Sequence, residues 1–326
     1  MRGFIGILIV GLLSIPTGIL QAQVAVPTFN PARPNGTSLN PAAQQWGAPS
    51  RIAVGMVQET EKKTPGNPLN PDSEYAAHGA FVIGRYVGES WAIGAEGAGA
   101  ESELTDPDTW NQTTDVGETE VALSGLIGDT LAVGLGARTT VLTDETKVGV
   151  LSSKVEATSS LPVAGLSLRL WESLFLGAVY GNETLSIDLN GVNVVEESRP
   201  VTRYGIGVRF GDEANGLRAE YGVETRDPIE FEVSPGVFID AEASTANRAA
   251  LELKVANILV GYEVTTSQED DFGDDIERTE SLVSLGWVPM AGLAVTASTS
   301  TKTKNNTTTD DESTFTGTIV GIAWMF

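Results

Sequence analysis

The sequence predicts an all-β fold: a transmembrane antiparallel up-and-down β-barrel of about 14 strands, with a short N-terminal plug or tail. Three observations point there. Hydrophobic residues recur at every second position over segment after segment, the period of a strand and not of a helix. Tight turn groups alternate along the chain with longer polar stretches, as the two ends of such a barrel require. Large aromatic residues gather beside the tight turns, where an interface between lipid and water would hold them.

The last segment, 314–326, shows the first pattern most clearly. Phe326, Trp324, Ile322 and Val320 share one face; Met325, Ala323, Gly321, Ile319 and Gly317 share the other. A bulky apolar face backed by a small one suits a strand between lipid and a crowded lumen. The same alternation places strands over 50–57, 74–87, 91–103, 116–127, 131–142, 155–171 and 174–185, then over 199–210, 217–225, 239–255, 258–265, 279–288, 293–301 and 313–326. Their usual length suits the ~9–11 residues that cross a bilayer on a tilt. Tight hairpin turns are expected at 88–90, 128–130, 172–173, 211–216, 256–257 and 289–292, which are rich in Gly, Asp, Asn and Ser. Long loops are expected over 58–73, 104–115, 143–154, 186–198, 226–238, 266–278 and 302–312. An even strand number leaves both termini on the short-turn side.

Tyr86, Trp91, Trp171, Phe175, Phe210, Trp287, Trp324 and Phe326 all stand close to a tight turn or the C-terminus. They are expected to form one girdle at the periplasmic edge. A soluble β-sandwich, the competing all-β reading, has no reason to hold its aromatics at one set of strand ends.

The N-terminus divides into two pieces. Residues 1–22 read as a signal peptide, with Arg2, an apolar run over 3–13 and a cleavage site after Ala22. This implies export to the bacterial outer membrane. Residues 23–49 carry Pro27, Pro31, Pro34, Pro41 and Pro49, which break any regular element. They form either a plug in the lumen or a periplasmic tail, and 50–326 form the barrel. No later stretch approaches the ~18 consecutive apolar residues of a membrane-crossing helix.

The net charge of -23 argues against nucleic acid as a partner, since phosphates would be repelled. More than half of that charge falls in the expected loops. The acidic run 269–277 lacks the spacing of a helix-loop-helix calcium site, so no metal is expected, and no cofactor motif is present. Cysteine is absent, and His78 is the lone histidine, without a nucleophile motif beside it. Catalysis is not expected. Arg138, Arg169, Arg209, Arg218, Glu220, Glu252, Lys254 and Glu263 fall on the small-residue faces of their strands. Charge on a lipid face costs up to ~2–4 kcal/mol at mid-bilayer, so these residues are expected to line the lumen. There they either set which solute passes or brace the wall by pairing.

A terminal Phe326 preceded by alternate apolar residues resembles the assembly signal of bacterial outer-membrane barrels. The resemblance implies recognition by the barrel-assembly machinery and contact with outer-membrane lipid and lipopolysaccharide. Just before the first strand, Asn40-Pro41-Ala42 resembles the hatch segment of outer-membrane transporters for long-chain fatty acids and aromatic hydrocarbons. That family has fourteen strands, an N-terminal hatch in the lumen and a kinked third strand that opens the wall sideways; here the third strand carries Gly94, Gly97 and Gly99, which would permit a bend. The resemblance implies passage of a small hydrophobic or amphiphilic solute. A general cation-preferring porin with an acidic mouth, and a non-conducting surface or adhesion barrel, are the alternatives.

Overall fold

The structure, a computed structural model, describes residues 40–46, 50–63, 74–106, 110–148, 151–211, 215–234, 237–241, 243–271, 274–290, 292–306 and 311–326. The expected signal peptide and most of the 23–49 piece lie outside these residues. The first strands are β1 (Arg51–Lys63), β2 (Glu74–Val87), β3 (Trp91–Asp106), β4 (Trp110–Ile127), β5 (Leu131–Val148) and β6 (Leu151–Leu170). They are followed by β7 (Leu174–Leu189), β8 (Val192–Gly211), β9 (Asn215–Arg226), β10 (Ile229–Ser234) and β11 (Val237–Ala241). The last are β12 (Ser244–Val255), β13 (Ile258–Asp271), β14 (Asp274–Met290), β15 (Leu293–Asn306) and β16 (Asp311–Met325).

Every neighbouring pair is antiparallel, and the sheet closes where β16 meets β1, from Arg51↔Met325 to Lys63↔Ser313. The result is a closed 14-strand barrel, as expected, with the short β10–β11 hairpin outside the ring. Closure follows from the solvent: inside a bilayer no water can satisfy the backbone groups of an open sheet edge. Among the described residues no helix is long and apolar enough to cross a membrane.

The two faces separate cleanly. On β7, Phe175, Gly177, Val179, Gly181, Glu183, Leu185 and Ile187 turn inward; Leu176 and Tyr180 turn out and stay exposed. The exterior is apolar only over the half nearest the short turns. On β16 it runs Phe326, Trp324, Ile322 and Val320, then Thr318 and Thr316. On β5 it runs Leu131, Val133, Leu135, Ala137, then Thr139. The greasy band is therefore about nine residues tall on each strand, the height of a tilted bilayer crossing.

Four expectations are corrected. Most of the long loops are strand: β7 continues to Leu189 and β8 begins at Val192, joined by Asn190 (φ 51°) and Gly191 (φ 81°). Two consecutive positive φ angles make the mirror-image turn that matches strand twist, which Asn-Gly adopts readily. The expected strand 239–255 divides into β11 and β12, and β10 occupies what was expected as loop. The third strand does not open the wall. It pairs without interruption to β2, from Val87↔Ala92 to Glu74↔Thr105, and to β4, from Trp91↔Gly125 to Asp106↔Trp110. Finally, Phe175 leaves the girdle: it is 4% exposed and points into the lumen. Tyr86, Trp91, Trp171, Phe210, Trp287, Trp324 and Phe326 are all exposed at the turn end, Trp171 within the β6–β7 turn itself at φ 53°.

Candidate functional site in the barrel lumen

At the turn end of the bore, residues preceding β1 make a short 3-10 turn, Pro41–Gln45, against the wall at β4, β5 and β6. Asn40 starts it by accepting a hydrogen bond from Ala42 N–H at 3.1 Å, and Pro41 takes the first helical position, where a missing N–H costs nothing. Asn40, Pro41 and Ala42, the expected hatch motif, are all buried against the inner faces of β4, β5 and β6. The wall is cut to receive them. A Cβ on Gly134 would stand 2.7 Å from Ala42 N and 2.8 Å from Pro41 C, and one on Gly165 would collide with the Asn40 carboxamide oxygen. Polar side chains fix the turn further. Asn40 Nδ2 donates to Leu166 O at 3.1 Å, and Gln45 Nε2 to Ser124 O and Oγ, both at 3.1 Å.

Trp46 ends the segment and is 5% exposed. Its Nε1 donates to Ser167 Oγ at 2.7 Å, and its ring tilts against Phe175 with centroids 6.2 Å apart. The Arg169 guanidinium lies 5.2 Å from the Trp46 ring centroid, and Arg209 Nη1 donates to the Trp46 carbonyl at 3.0 Å. Arg169 is itself tied to Asp129 O at 2.9 Å, in the β4–β5 turn.

Above this turn the bore is crossed by a belt of ion pairs. Arg199 Nε donates to Glu183 Oε2 at 2.8 Å, and Ser159 Oγ donates to Glu183 Oε1 at 2.8 Å. Arg203 and Arg226 bind Glu224 at 2.5 Å and 2.7 Å. Arg248 holds Glu263 with a two-bond fork of 2.7 Å and 2.6 Å. Arg218 pairs with Glu220 and lies 3.7 Å from Glu252; Arg138 lies 3.7 Å from Glu118. These groups lie among the small residues of the inner face, which leaves room for guanidinium planes. Arg218 is 0% exposed and Glu263 is 2% exposed. An open, water-filled bore of the general-porin kind is therefore not what the inner wall presents.

Beyond the greasy band, the inward faces of β5–β8 turn apolar: Leu142, Val155, Ala157, Leu185, Ile187 and Val195 form one buried cluster. Ile229 at the start of β10 packs into it, so the β10–β11 hairpin bends in towards the bore. A second apolar cluster lower down, Leu161, Val163, Val179 and Val201, lies on β6, β7 and β8, and a third holds Ala42, Trp46, Ala132 and Phe175. The first two flank the buried Ser159–Glu183–Arg199 group, and the third meets the wall at Ala132 of β5 and Phe175 of β7. At the upper cluster's rim Asp144 is buried; Gln112 Nε2 and Thr146 Oγ1 donate to it. Burial pushes its carboxyl above the ordinary carboxylate range, opposed by hydrogen bonds from Gln112, Thr146 and Thr114.

The expected lumen residues Arg138, Arg218, Glu220, Glu252 and Glu263 all lie buried in the bore, within the ion-pair belt. Arg169 and Arg209 sit lower, on the hatch turn, and Lys254 is half-buried on the inner face near the turn end. Sequence reading missed Arg199 and Arg203, although both share the parity of Arg209, and missed Glu183, which shares the parity of Phe175, a residue it had turned outward. Arg226, read as a loop base, is on β9 and pairs inward. His78 faces out, opposite Gln58 of β1 and Glu101 of β3. The acidic run 269–277 lies at the β13–β14 tip, and no group of metal-binding side chains occurs among the described residues.

No protein-family model matches the chain, and no curated protein matches it. Solved structures do. A TodX mutant described as a monoaromatic hydrocarbon channel superposes with a TM-score of 0.64 at 12% identity, covering 93% of this chain and 96% of that one. The Pseudomonas putida toluene transporter TodX gives 0.57 at 11% identity, over 91% and 95%. A Pseudomonas aeruginosa FadL homologue gives 0.57 at 14% identity, over 92% and 95%. At such identities the likeness is one of fold, and it extends over nearly the whole of each chain.

Proposed function

We propose that this protein is an outer-membrane channel that passes small hydrophobic or amphiphilic solutes, and that residues 23–49 form its hatch. One observation carries the reading. The bore is obstructed at the turn end and charge-paired in its middle, yet its inner wall carries apolar clusters above and below the Glu183–Arg199 pair on β6 and β7, one at the hatch turn, and another on β1, β2, β14 and β16. Hydrated ions would have to break buried ion pairs to pass, whereas an apolar solute gains from each cluster. The full-length fold likeness to channels named for toluene and monoaromatic hydrocarbons supports the same solute class. In this reading residues 1–22 are removed on export, Phe326 is read by the barrel-assembly machinery, and the outer strands stand among lipopolysaccharide headgroups.

The test is uptake into liposomes carrying the purified mature chain. Toluene or a short-chain alcohol should enter faster than into protein-free liposomes, and a sugar of similar size should not. Equal acceleration of both would overturn the proposal. Deleting 24–48 should raise ionic conductance in planar bilayers; unchanged conductance would make the segment a tail.

A further inference from the structure

We infer that the bore holds a small inorganic anion, of the chloride class, at the buried guanidinium of Arg203, on the side that faces Arg138. Such a site belongs to the inner wall and does not depend on which solute passes.

On β7, β8 and β9 the belt is an alternating chain of charges. Arg199 binds Glu183 at 2.8 Å, and Glu183 lies 3.6 Å from Arg226. Arg226 binds Glu224 at 2.7 Å, and Glu224 binds Arg203 at 2.5 Å. The chain begins and ends on a guanidinium, so three positive groups meet two negative ones. At Arg203 the alternation stops. Its Nε is engaged by Glu224, but Nη1 and Nη2 are buried and have no hydrogen-bond partner among the described residues. Its strongest electrostatic neighbours after Glu224 are two further cations, Arg138 and Arg226. Arg138 also has an unfilled Nε, and Glu118 stands off from it at 3.7 Å. Arg203 is 1% exposed and Arg138 7%, which keeps these donors out of bulk water.

A guanidinium taken out of water needs its donors filled and its charge offset. Water fills donors but offsets no charge. A small anion does both: it accepts from the Arg203 Nη groups and carries the alternation one step further, towards Arg138. Arg248 gives the contrast. Its Nη1 also lacks a partner, but Glu263, Glu220 and Glu252 surround its charge, and water suffices there. Beside Arg203 the chain has no such reserve. Val179 lies directly across the β7–β8 ladder, and Val201 shares its face; both belong to the apolar cluster on β6, β7 and β8 and offer no side-chain acceptor. The excess charge is part of the folded wall and needs its partner with or without a solute in the bore. That favours an ion always in solution over an occasional visitor.

The experiment uses the mature full-length chain in a neutral maltoside detergent, with thermal unfolding followed by circular dichroism. At fixed sodium and ionic strength, replacing gluconate by chloride should raise the unfolding midpoint, and bromide should do the same. An ion bound only by the folded state, at about 100 times its dissociation constant, shifts the folded-to-unfolded ratio about a hundredfold. Arg203→Met leaves Arg199 and Arg226 facing Glu183 and Glu224, and should make the midpoints in chloride and gluconate equal. Crystals grown with bromide should show its anomalous signal beside Arg203. Equal midpoints of the parent chain in the two salts would overturn the site, as would a chloride effect undiminished in Arg203→Met. Protection by benzoate without protection by chloride or bromide would overturn the resident ion and give the site to a solute's carboxylate. Should Arg203→Met not fold, Val179→Asp places a carboxylate across the ladder from Arg203 and should abolish the response to chloride; a persisting response would exclude Arg203 as the seat.

Discussion

Single residues decide how the bore is filled. Gly134 and Gly165 are empty of side chain because the hatch turn occupies that volume. Gly134→Val should push the turn off the wall while leaving the strand able to pair, so conductance should rise, as proposed for deletion of 24–48; a parent-like trace would show the fit to be loose. The belt obeys a different rule. Glu263 is 2% exposed and takes both bonds from Arg248. Glu263→Gln takes from the buried Arg248 guanidinium its bidentate partner and leaves only the more distant Glu220 and Glu252 to offset its charge, at a cost of up to ~3–5 kcal/mol. Urea unfolding of the barrel in detergent should show that loss, and Arg248→Met added to Glu263→Met should recover most of it. Much of this belt was legible from parity alone: Arg209, Gly207 and Gly205 already fix the inward face of β8, and Arg203 and Arg199 continue it. Which arginine meets which glutamate was not legible, because partners such as Arg226 and Glu183 come from strands 43 positions apart in number and meet only on the closed sheet.

Elements were read correctly wherever lipid gave them an apolar face, and cut short wherever it did not. The exterior of β7 changes from Leu176, Ala178 and Tyr180 to Asn182, Thr184, Ser186 and Asp188 as it leaves the bilayer. Both faces of its outer half are then mixed, and the period of two fades although the strand continues. Asn190-Gly191 marked the true turn inside what read as loop. In this outer part, Asp144 supplies a pH-dependent term. Its folded pKa is raised, so the native state holds the proton more tightly than the unfolded chain does. The resulting penalty is absent below the ordinary aspartate range, grows as pH rises towards the folded pKa, and is complete above it. Asp144→Asn keeps an acceptor for Gln112 and Thr146 and removes the charge. It should raise the temperature of heat modification at pH 7 and leave it unchanged near pH 3; an equal shift at both would exclude the carboxylate as the cause.

For the whole molecule, strand number, closure and the meeting of the first and last strands followed from counting hairpins, because a bilayer tolerates no open edge. Phe175 was misassigned because nearness to a turn says nothing about which way a ring points; parity with Val179 and Gly181 would have turned it inward. The hatch turn's seat was out of reach of sequence, since no local pattern says which wall a plug will meet. The greasy band can be tested directly. Leu285, exposed on β14 in its lower half, should cost ~2–4 kcal/mol on replacement by Arg. Thr301, on the neighbouring strand above the band, should accept the same change with little loss of folding yield in lipid vesicles. Similar losses at both would move the membrane boundary.

The seam between β1 and β16 joins the first and last parts of the wall to emerge during synthesis. Asn40–Trp46 precede β1 in the chain yet rest on β4, β5 and β6, three to five strands further round the wall. The turn ties the beginning of the wall to three strands made after it, so it can seat only once β4, β5 and β6 have been made.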